Sequence, residues 1–351
     1  MIDPAFFCYY EGDKLEGILI SHVDDFLYAG NEVFMNKVIR VIEQKYAISS
    51  HYEGDFEYVG LSLQSSCDGI TMNQTTFNEK LETIKLGADK MKNNERILDD
   101  NEKRLYQQLL GRINWLSHQS RPDLAFDAFS ASLASQSPTV QDVKLLNKVV
   151  SKVDNGLNNI FYPRLDETSL RIVVFGDASY ANLKDKVSSG EGYLVFLADK
   201  RGNSCLLNWK SKKIKRVVHS TEAAECLALV DCNGDAHYIR SILEELLYKK
   251  PCKSIPILVC TDSIQLRKAL ISTHLVTEKL LRITIAEMKQ ILEDDDEKTS
   301  ICWVRSENML SDCLTKKGAS SLRLCQALES GFIDIQSLLS EDREKLGASS
   351  S

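Results

Sequence analysis

Residues 172–177 read IVVFGD, a short apolar run that ends in an acidic residue. Residues 257–262 read ILVCTD and repeat this arrangement further along the chain. Short apolar runs without polar alternation are typical of strands buried in a sheet that helices cover. The two stretches therefore predict an α/β fold, and each places a carboxylate at the end of a strand.

Strand and helix patterns alternate around these two runs. Three strands come first, then a long helix, and then strands and helices in turn, which implies a mixed sheet covered by helices. The predicted strands are 170–176, 192–197, 205–209, 255–261 and 301–304, and the predicted helices are 221–247, 263–271, 279–292 and a short one from Leu310.

The N-terminal region reads as mixed α and β. Apolar runs and sharp polar breaks over 5–30 predict hairpin strands, with the pair Asp24-Asp25 at the second turn. Adjacent acids favour a turn on structural grounds alone. Near-helical spacing follows at 32–46, and strand-like alternation returns at 56–63.

A helical connecting region is predicted next. Between about residues 80 and 155 the strand patterns vanish. Helical patterns at 106–116 and 140–153 are separated there by breakers at Pro122 and Pro138.

Acidic residues stand at comparable places in the second half of the chain. Asp177 and Asp262 end apolar strands, and Asp312 lies in the short helix after the last strand. Glu225 is expected in the first turn of the long helix opened by Ser220-Thr221. Because strand ends and helix starts converge on one edge of an α/β sheet, these four carboxylates are candidates for a single site.

Such a cluster repels itself unless cations neutralise it. Ligation by oxygen alone, without His or Cys, favours Mg²⁺ or Mn²⁺ over Zn²⁺. Two such ions bridged by carboxylates can activate a water and stabilise the leaving oxygen of a phosphodiester. Each residue taken singly also has a structural interpretation, since strand-end aspartates are common turn residues and Glu222 and Glu225 both suit the positive end of a helix.

The composition bounds the class of protein. Hydrophobic residues make up 43% and charged residues 26% of the 351 residues, which excludes wholesale disorder. The net charge of −7 argues against a polyphosphate partner, although it does not say where the charge lies. The ten cysteines form no CxxC pair and are expected to be reduced core residues. Without a basic leader or a long apolar stretch, we expect a soluble intracellular protein, cytoplasmic or nuclear and not secreted.

These motifs resemble the Pol polyprotein of copia-type LTR retrotransposons, from the end of the reverse transcriptase through the ribonuclease H domain. The resemblance spans roughly residues 5–320, and the order and spacing of the motifs are its most specific part. In the polymerase portion it rests on HVDD at 22–25, with His in place of the usual Tyr, YVGL at 58–61, and the block from YQQLLG at 106–111 to SRPD at 120–123. In the ribonuclease H portion it rests on GDAS at 176–179, STEAAE at 220–225, TDS at 261–263 and LSDCLTK at 310–316.

The resemblance implies an endonuclease that hydrolyses the RNA strand of RNA–DNA hybrids and leaves a 5′-phosphate and a 3′-hydroxyl. Its two Mg²⁺ ions, or Mn²⁺ in their place, would be held by Asp177, Glu225, Asp262 and Asp312. Glu225 is preferred to Glu222 because the family pattern of Ala-Glu and an apolar residue falls on AECLAL at 224–229. The partners implied are the hybrid and other retrotransposon proteins, with no membrane.

The polymerase part of the resemblance is incomplete. The family's polymerase needs a further metal-binding aspartate on a strand well upstream of the Asp-Asp box, and only Asp3 and Asp13 precede it here. We therefore expect Asp24 and Asp25 to form a vestigial polymerase metal site, because two of three carboxylates cannot fix both ions.

A basic strip follows Trp209, and a serine turn precedes the second strand of the sheet. The strip is either a solvated strand edge or a surface that contacts phosphates. The serines resemble the family's phosphate-binding turn but also have ordinary turn composition. The candidate nucleic-acid contacts are Ser188, Ser189, Lys210, Lys212, Lys213, Lys215 and Arg216.

The predicted organisation is a partial reverse-transcriptase palm at 1–85, a helical thumb or connection at 86–165, a ribonuclease H-like domain with a five-stranded mixed sheet at 166–320, and a C-terminal tail at 321–351. Two alternatives to the ribonuclease stay open. The chain is either a catalytically inactive or co-opted fragment that binds nucleic acid or a partner, or part of an RNA-directed DNA polymerase that another chain completes.

Overall fold

The computed structural model of the chain describes residues 4–250, 252, 254–272, 279–294 and 298–347. The sequence also predicts a solvated loop at the acidic run 293–297, which lies only partly within these residues, and a frayed end at 347–351, which lies almost entirely outside them. No helix in the described ranges is long and apolar enough to cross a membrane.

The N-terminal part forms a small antiparallel sheet with a helical segment packed on it. Phe34 is buried against this sheet, and a Cβ at Gly17 would lie 2.2 Å from its ring. Glycine is therefore required for this close approach. The elements are β1 (Phe6–Glu11), β2 (Lys14–His22), β3 (Asp25–Gly30), α1 (Glu32–Phe34), a π-helical turn (Met35–Ile39) and α2 (Arg40–Lys45), and the strands pair in the order β1-β2-β3.

A second antiparallel sheet follows in the order β4-β5-β6-β7. The single strand predicted at 56–63 is wrong, because the chain turns at Val59-Gly60, where φ is 50° and 74°. The third and fourth strands of this sheet were not predicted. The fourth is short and comes about ninety residues later in the chain, after a helical region. The strands are β4 (Phe56–Tyr58), β5 (Leu61–Ser65), β6 (Gly69–Asn73) and β7 (Ile160–Pro163).

Helices fill the chain between the third and fourth of these strands, as the sequence predicts. The longest starts at a capping box in which Asp99 and Glu102 satisfy each other's backbone N–H groups. Tyr106, Ile113 and Leu146 are fully buried in the core between the helices. The helices are α3 (Thr75–Asn78), α4 (Asp100–Gln119), α5 (Ala125–Ser132) and α6 (Val140–Asn155).

A buried ion pair lies in the breaker after α4 and contacts the end of α6. Arg121 contacts Asp123 at 2.9 Å through both Nε and Nη2, and the two side chains are 2% and 0% exposed. Arg121 also donates to the backbone oxygen of Val153 near the end of α6. The ion pair thereby satisfies a carbonyl that the last turn of a helix leaves without an intrahelical partner.

The second half of the chain is built on a five-stranded mixed sheet in the order β10-β9-β8-β11-β12. Strands β8, β11 and β12 are parallel, whereas β9 and β10 run antiparallel to their neighbours. This matches the mixed sheet predicted from the sequence. The strands are β8 (Arg171–Ser179), β9 (Gly190–Ala198), β10 (Ser204–Lys213), β11 (Ile257–Thr261) and β12 (Thr299–Trp303).

Helices cover both faces of this sheet, because successive residues of its apolar strands point to opposite sides. Val174 lies in a core with Leu229 and Leu266, and Phe175 lies in the core on the other face with Leu324 and Leu338. The helices are α7 (Thr221–Tyr248), α8 (Ile264–Ile271), α9 (Lys279–Asp294), α10 (Leu322–Ser330) and α11 (Ile335–Gly347).

The segment predicted as a C-terminal tail, 321–351, forms two packed helices in its described part. Leu328 and Ile335 are 2% and 3% exposed in the core under the sheet. The two helices of this segment are separated by Gly331, which adopts φ 61°. Their apolar faces are buried against the sheet, so the segment is part of the fold.

The parts of the chain share contacts across the predicted domain boundaries. Strand β7 pairs with β6, so residues from both sides of the boundary at 85 lie in one sheet. The indole N–H of Trp209 in β10 donates to the backbone oxygen of Ser117 in α4 at 2.7 Å. Helix α5 also packs against β10. The boundaries themselves stay a prediction.

Candidate active site

Three carboxylates meet at the ends of the two central strands. Asp177 lies near the end of β8, Asp262 directly follows the parallel strand β11, and Glu225 enters from α7. One oxygen of each lies within 4.8 Å of the others. Among the described residues this is the only group of three or more acidic, His or Cys side chains arranged to hold a metal ion.

The start of α7 brings Glu225 to this point. Ser220 caps the helix by accepting a hydrogen bond from the backbone N–H of Ala223. Glu225 then lies in the second turn and is 6% exposed. Glu222 lies in the first turn, partly exposed, and does not belong to the cluster. The structure therefore places Glu225, the acid chosen from the family pattern, beside Asp177 and Asp262.

Asp312 joins the cluster through a lysine. It begins a short 3-10 helix, Asp312–Leu314, after β12. The ammonium of Lys316 lies 2.7 Å from Asp312 Oδ1 and 3.3 Å from Asp177 Oδ1. All four predicted acids thus belong to one connected group, although Asp312 is outside the triplet of closest oxygens.

Neighbouring donors fix the carboxylates. The hydroxyl of Thr315 donates to Asp177 Oδ2. Ser306 donates to Asp262 Oδ2 at 2.8 Å, and the indole N–H of Trp303 donates to the backbone oxygen of Asp262 at 2.9 Å.

Sequence reasoning assigned no role to these side chains. Thr315 and Lys316 stand inside the motif LSDCLTK at 310–316, so proximity to Asp312 was the available signal. Nothing comparable marked Ser306, because its partner follows another strand.

Burial controls the protonation of the central acids. Loss of water contact raises the pKa of Asp177 to about 7, against the opposing effects of Lys316 and the Thr315 hydrogen bond. Burial also raises the pKa of Glu225 to about 9, and the negative charges of Asp177 and Asp262 add to this effect. The cluster therefore favours protonation unless further positive charge enters it.

The donor set fits a divalent cation with a preference for oxygen. Glu225 Oε2 is buried and has no hydrogen-bond partner among the described residues. A buried polar atom without a partner is costly, and a cation held by Asp177, Glu225 and Asp262 would satisfy it. Carboxylate oxygens alone favour Mg²⁺ or Mn²⁺.

The basic strip is mostly paired with acids, and its predicted contact with phosphates stays a prediction. Lys210 contacts Asp235 at 2.7 Å and Lys212 contacts Asp231 at 2.6 Å, both acids lying on α7. These ion pairs connect the edge strand β10 to α7, the helix that carries Glu225.

The remaining cations of the strip differ from one another. Lys213 lies 3.6 Å from Asp185. Lys215 and Arg216 are exposed, and no acidic partner for either lies within the part of the chain that the structure describes. These two side chains are therefore the part of the strip that is open to a phosphate.

The serine turn is organised by its own contacts. Ser189 is buried, and its hydroxyl accepts a hydrogen bond from the backbone N–H of Ala181. Ser188 donates to Asp185 at 2.5 Å. The buried hydroxyl of Ser189 is thus engaged within the turn, and the phosphate-binding role predicted for the two serines stays a prediction.

The pair Asp24-Asp25 lies apart from this cluster. Asp25 begins β3 opposite His22, and both acids are exposed at the hairpin between β2 and β3. They are not part of any described group arranged to hold a metal ion. The vestigial role predicted for them stays a prediction.

Comparison with known proteins finds similarity to transposon polyproteins. No family model matches the chain. It is 23% identical over 259 residues to the "Retrovirus-related Pol polyprotein from transposon RE1" of Arabidopsis thaliana, and 23% identical over 256 residues to that from transposon RE2. Each alignment covers 70% of this chain. The predicted resemblance to Pol polyproteins of copia-type transposons is confirmed.

The chain spans 17% of the length of these curated relatives. Among solved structures, LC11-RNase H1 in complex with RNA/DNA hybrid matches with 17% identity and a TM-score of 0.33. That match covers 41% of this chain and 94% of the LC11 chain.

Proposed function

We propose that the region carrying the acidic cluster is a divalent-metal-dependent ribonuclease that hydrolyses the RNA strand of RNA–DNA hybrids. The observation that carries this proposal is the meeting of Asp177, Glu225 and Asp262 within 4.8 Å, with a buried oxygen of Glu225 left without a partner. The similarity to retrovirus-related Pol polyproteins of transposons supports it.

Asp177, Glu225, Asp262 and Asp312 would hold two Mg²⁺ ions, with Mn²⁺ as a substitute. Such ions supply a nucleophile at neutral pH and stabilise the leaving oxygen of a phosphodiester. The protein's part is to keep the carboxylates in place before the substrate arrives. Thr315 orients Asp177, and Ser306 and Trp303 orient Asp262.

Substrate contacts would come from the exposed end of the basic strip. Lys215 and Arg216 lie just before α7, the helix that carries Glu225, and offer cations to a nucleic-acid backbone. Discrimination of RNA from DNA requires contacts to 2′-hydroxyls across the wide minor groove of the duplex. Because few cations would contact phosphates, this binding should be weak and should depend only modestly on salt, since the salt dependence grows with the number of phosphate contacts.

Cleavage of a labelled RNA–DNA hybrid in Mg²⁺ tests the proposal. We expect the wild-type chain to shorten the RNA strand, and Asp177→Asn and Asp262→Asn each to reduce the rate by at least about a hundredfold, because each change removes a carboxylate from the site. Glu57→Gln, which neutralises an exposed acid on β4, is the matched control and should retain the wild-type rate.

Double-stranded RNA and double-stranded DNA serve as substrate controls and should stay intact. Equal cleavage by the wild type and both Asn variants would reject the ribonuclease. Hybrid binding without any cleavage would favour the inactive nucleic-acid-binding fragment instead.

A further inference from the structure

Lys316 places a positive charge between two of the four acids. Its ammonium contacts Asp312 at 2.7 Å and Asp177 at 3.3 Å. The lysine side chain is 40% exposed, whereas Asp177 is fully buried. The ammonium therefore reaches the buried acid from the open side of the site.

The carboxylates consequently fall into two unequal sets. Glu225 and Asp262 face an oxygen of Asp177, and Glu225 Oε2 is free to accept a ligand. On the other side, Asp177 Oδ1 and Asp312 Oδ1 both already accept hydrogen bonds from Lys316. A cation that enters the first set finds Glu225 Oε2 without a hydrogen bond, whereas between Asp177 and Asp312 it meets the ammonium.

We propose that Lys316 occupies the second metal position and is displaced when the second divalent ion binds. This inference rests on the proposed function, since it takes the cluster to be a two-metal site. In the ion-free protein the lysine neutralises the repulsion between Asp177 and Asp312. Its flexible four-carbon stem allows the charge to withdraw into solvent when an ion arrives.

The consequence is stepwise loading. The first ion binds at Asp177, Glu225 and Asp262, where it gains the unsatisfied oxygen of Glu225. The second ion binds more weakly because it must break both contacts of Lys316. Lys316 is thus a positioning residue that sets the affinity of the second site.

Titration of the full chain with Mn²⁺, followed by calorimetry and by electron paramagnetic resonance, tests this. Lys316→Met removes the charge while keeping much of the side chain's length. We expect the variant to bind the second Mn²⁺ at least about tenfold more tightly than the wild type, equal to about 1.4 kcal/mol, with the first affinity unchanged. Without metal, the variant should unfold at a lower temperature than the wild type, and Mn²⁺ should abolish this difference.

Lys317→Met is the matched control, because it makes the same charge change at an exposed neighbour. It should leave both affinities and the metal-free unfolding temperature as in the wild type. Lys316→Gln provides a second variant should the methionine protein fail to fold. An unchanged or weaker second affinity in the Lys316 variant, or the absence of a second ion from both proteins, would overturn the inference.

Hybrid cleavage by the wild type, measured in parallel, separates the two proposals. Cleavage combined with an unchanged second affinity in the variant rejects the role of Lys316 and leaves the ribonuclease standing. Tighter second-ion binding in the variant, together with no hybrid cleavage by the wild type, supports the role of Lys316 and rejects the ribonuclease.

Discussion

The carboxylate of Asp342 accepts two hydrogen bonds from the guanidinium of Arg267, at 2.6 Å from Nε and 2.7 Å from Nη2. It also accepts the backbone N–H of Trp303 at 2.8 Å. Trp303 in turn donates to the backbone oxygen of Asp262. Helix α11 is therefore connected to a predicted metal ligand through two steps.

Replacement of Asp342 by alanine should destabilise the protein by about 3–5 kcal/mol, because the charge of Arg267 then stays buried without its partner. Urea unfolding measures this loss. Glu344→Ala, at an exposed position on the same helix, should change the free energy of unfolding by less than about 0.5 kcal/mol. A loss of similar size in both variants would show that the ion pair has no special role.

Arg121→Met should cost about 3–5 kcal/mol, because it leaves the fully buried Asp123 without its partner. The double change Arg121→Met with Asp123→Leu should recover most of this loss, since replacing a buried pair by apolar residues is often neutral. A double-mutant cycle by urea unfolding checks both values, with exposed Arg104→Met as the control. Additive losses in the double variant would contradict the prediction.

Glu102 makes the stability of the fold depend on pH. The hydrogen bonds from Arg96, and those from Lys90 and the Asp99 backbone, lower its pKa from 4.5 to about 2. Because the pKa in the folded state lies below that of the unfolded chain, the stabilisation is complete above about pH 4.5 and disappears as the pH falls towards 2.

We expect Glu102→Gln to flatten the fall in unfolding free energy between pH 5 and pH 2 relative to the wild type, because it removes this titration. Urea unfolding across that range measures the difference. Parallel pH profiles for the two proteins would show that folding does not lower the pKa of Glu102.

Primer extension tests the vestigial site. We expect no Mg²⁺-dependent DNA synthesis by this chain alone, because Asp24 and Asp25 lie exposed at a hairpin and are not part of a described metal-holding group. Synthesis that Asp24→Asn and Asp25→Asn abolish would refute this prediction.

The sequence predicts the second half of the chain well for a physical reason. An apolar run such as 172–176 must be buried, and an acid directly after it must then lie at the edge of the sheet. Asp177 and Asp262 follow from this logic. The position of Glu225 required in addition the family pattern, because Glu222 suits a helix start equally well.

Contacts between elements that lie far apart in the sequence could not be predicted in this way. Lys210 and Lys212 look like free cations until the register of β10 places them beside Asp235 and Asp231 on α7. Sequence patterns also fail to predict very short elements. Strand β7 contributes only Ile160–Pro163, and its existence depends on β6 as a partner.

The packing of α4 and α5 against β10 affects how the chain can be divided. Strand β10 is an edge of the five-stranded sheet, and a bare edge strand invites pairing with other molecules and aggregation. Trp209 is held to the backbone of Ser117 across this contact. A fragment that begins at residue 166 would lose these helices and the partner of the Trp209 indole, and should therefore aggregate more readily than the full chain.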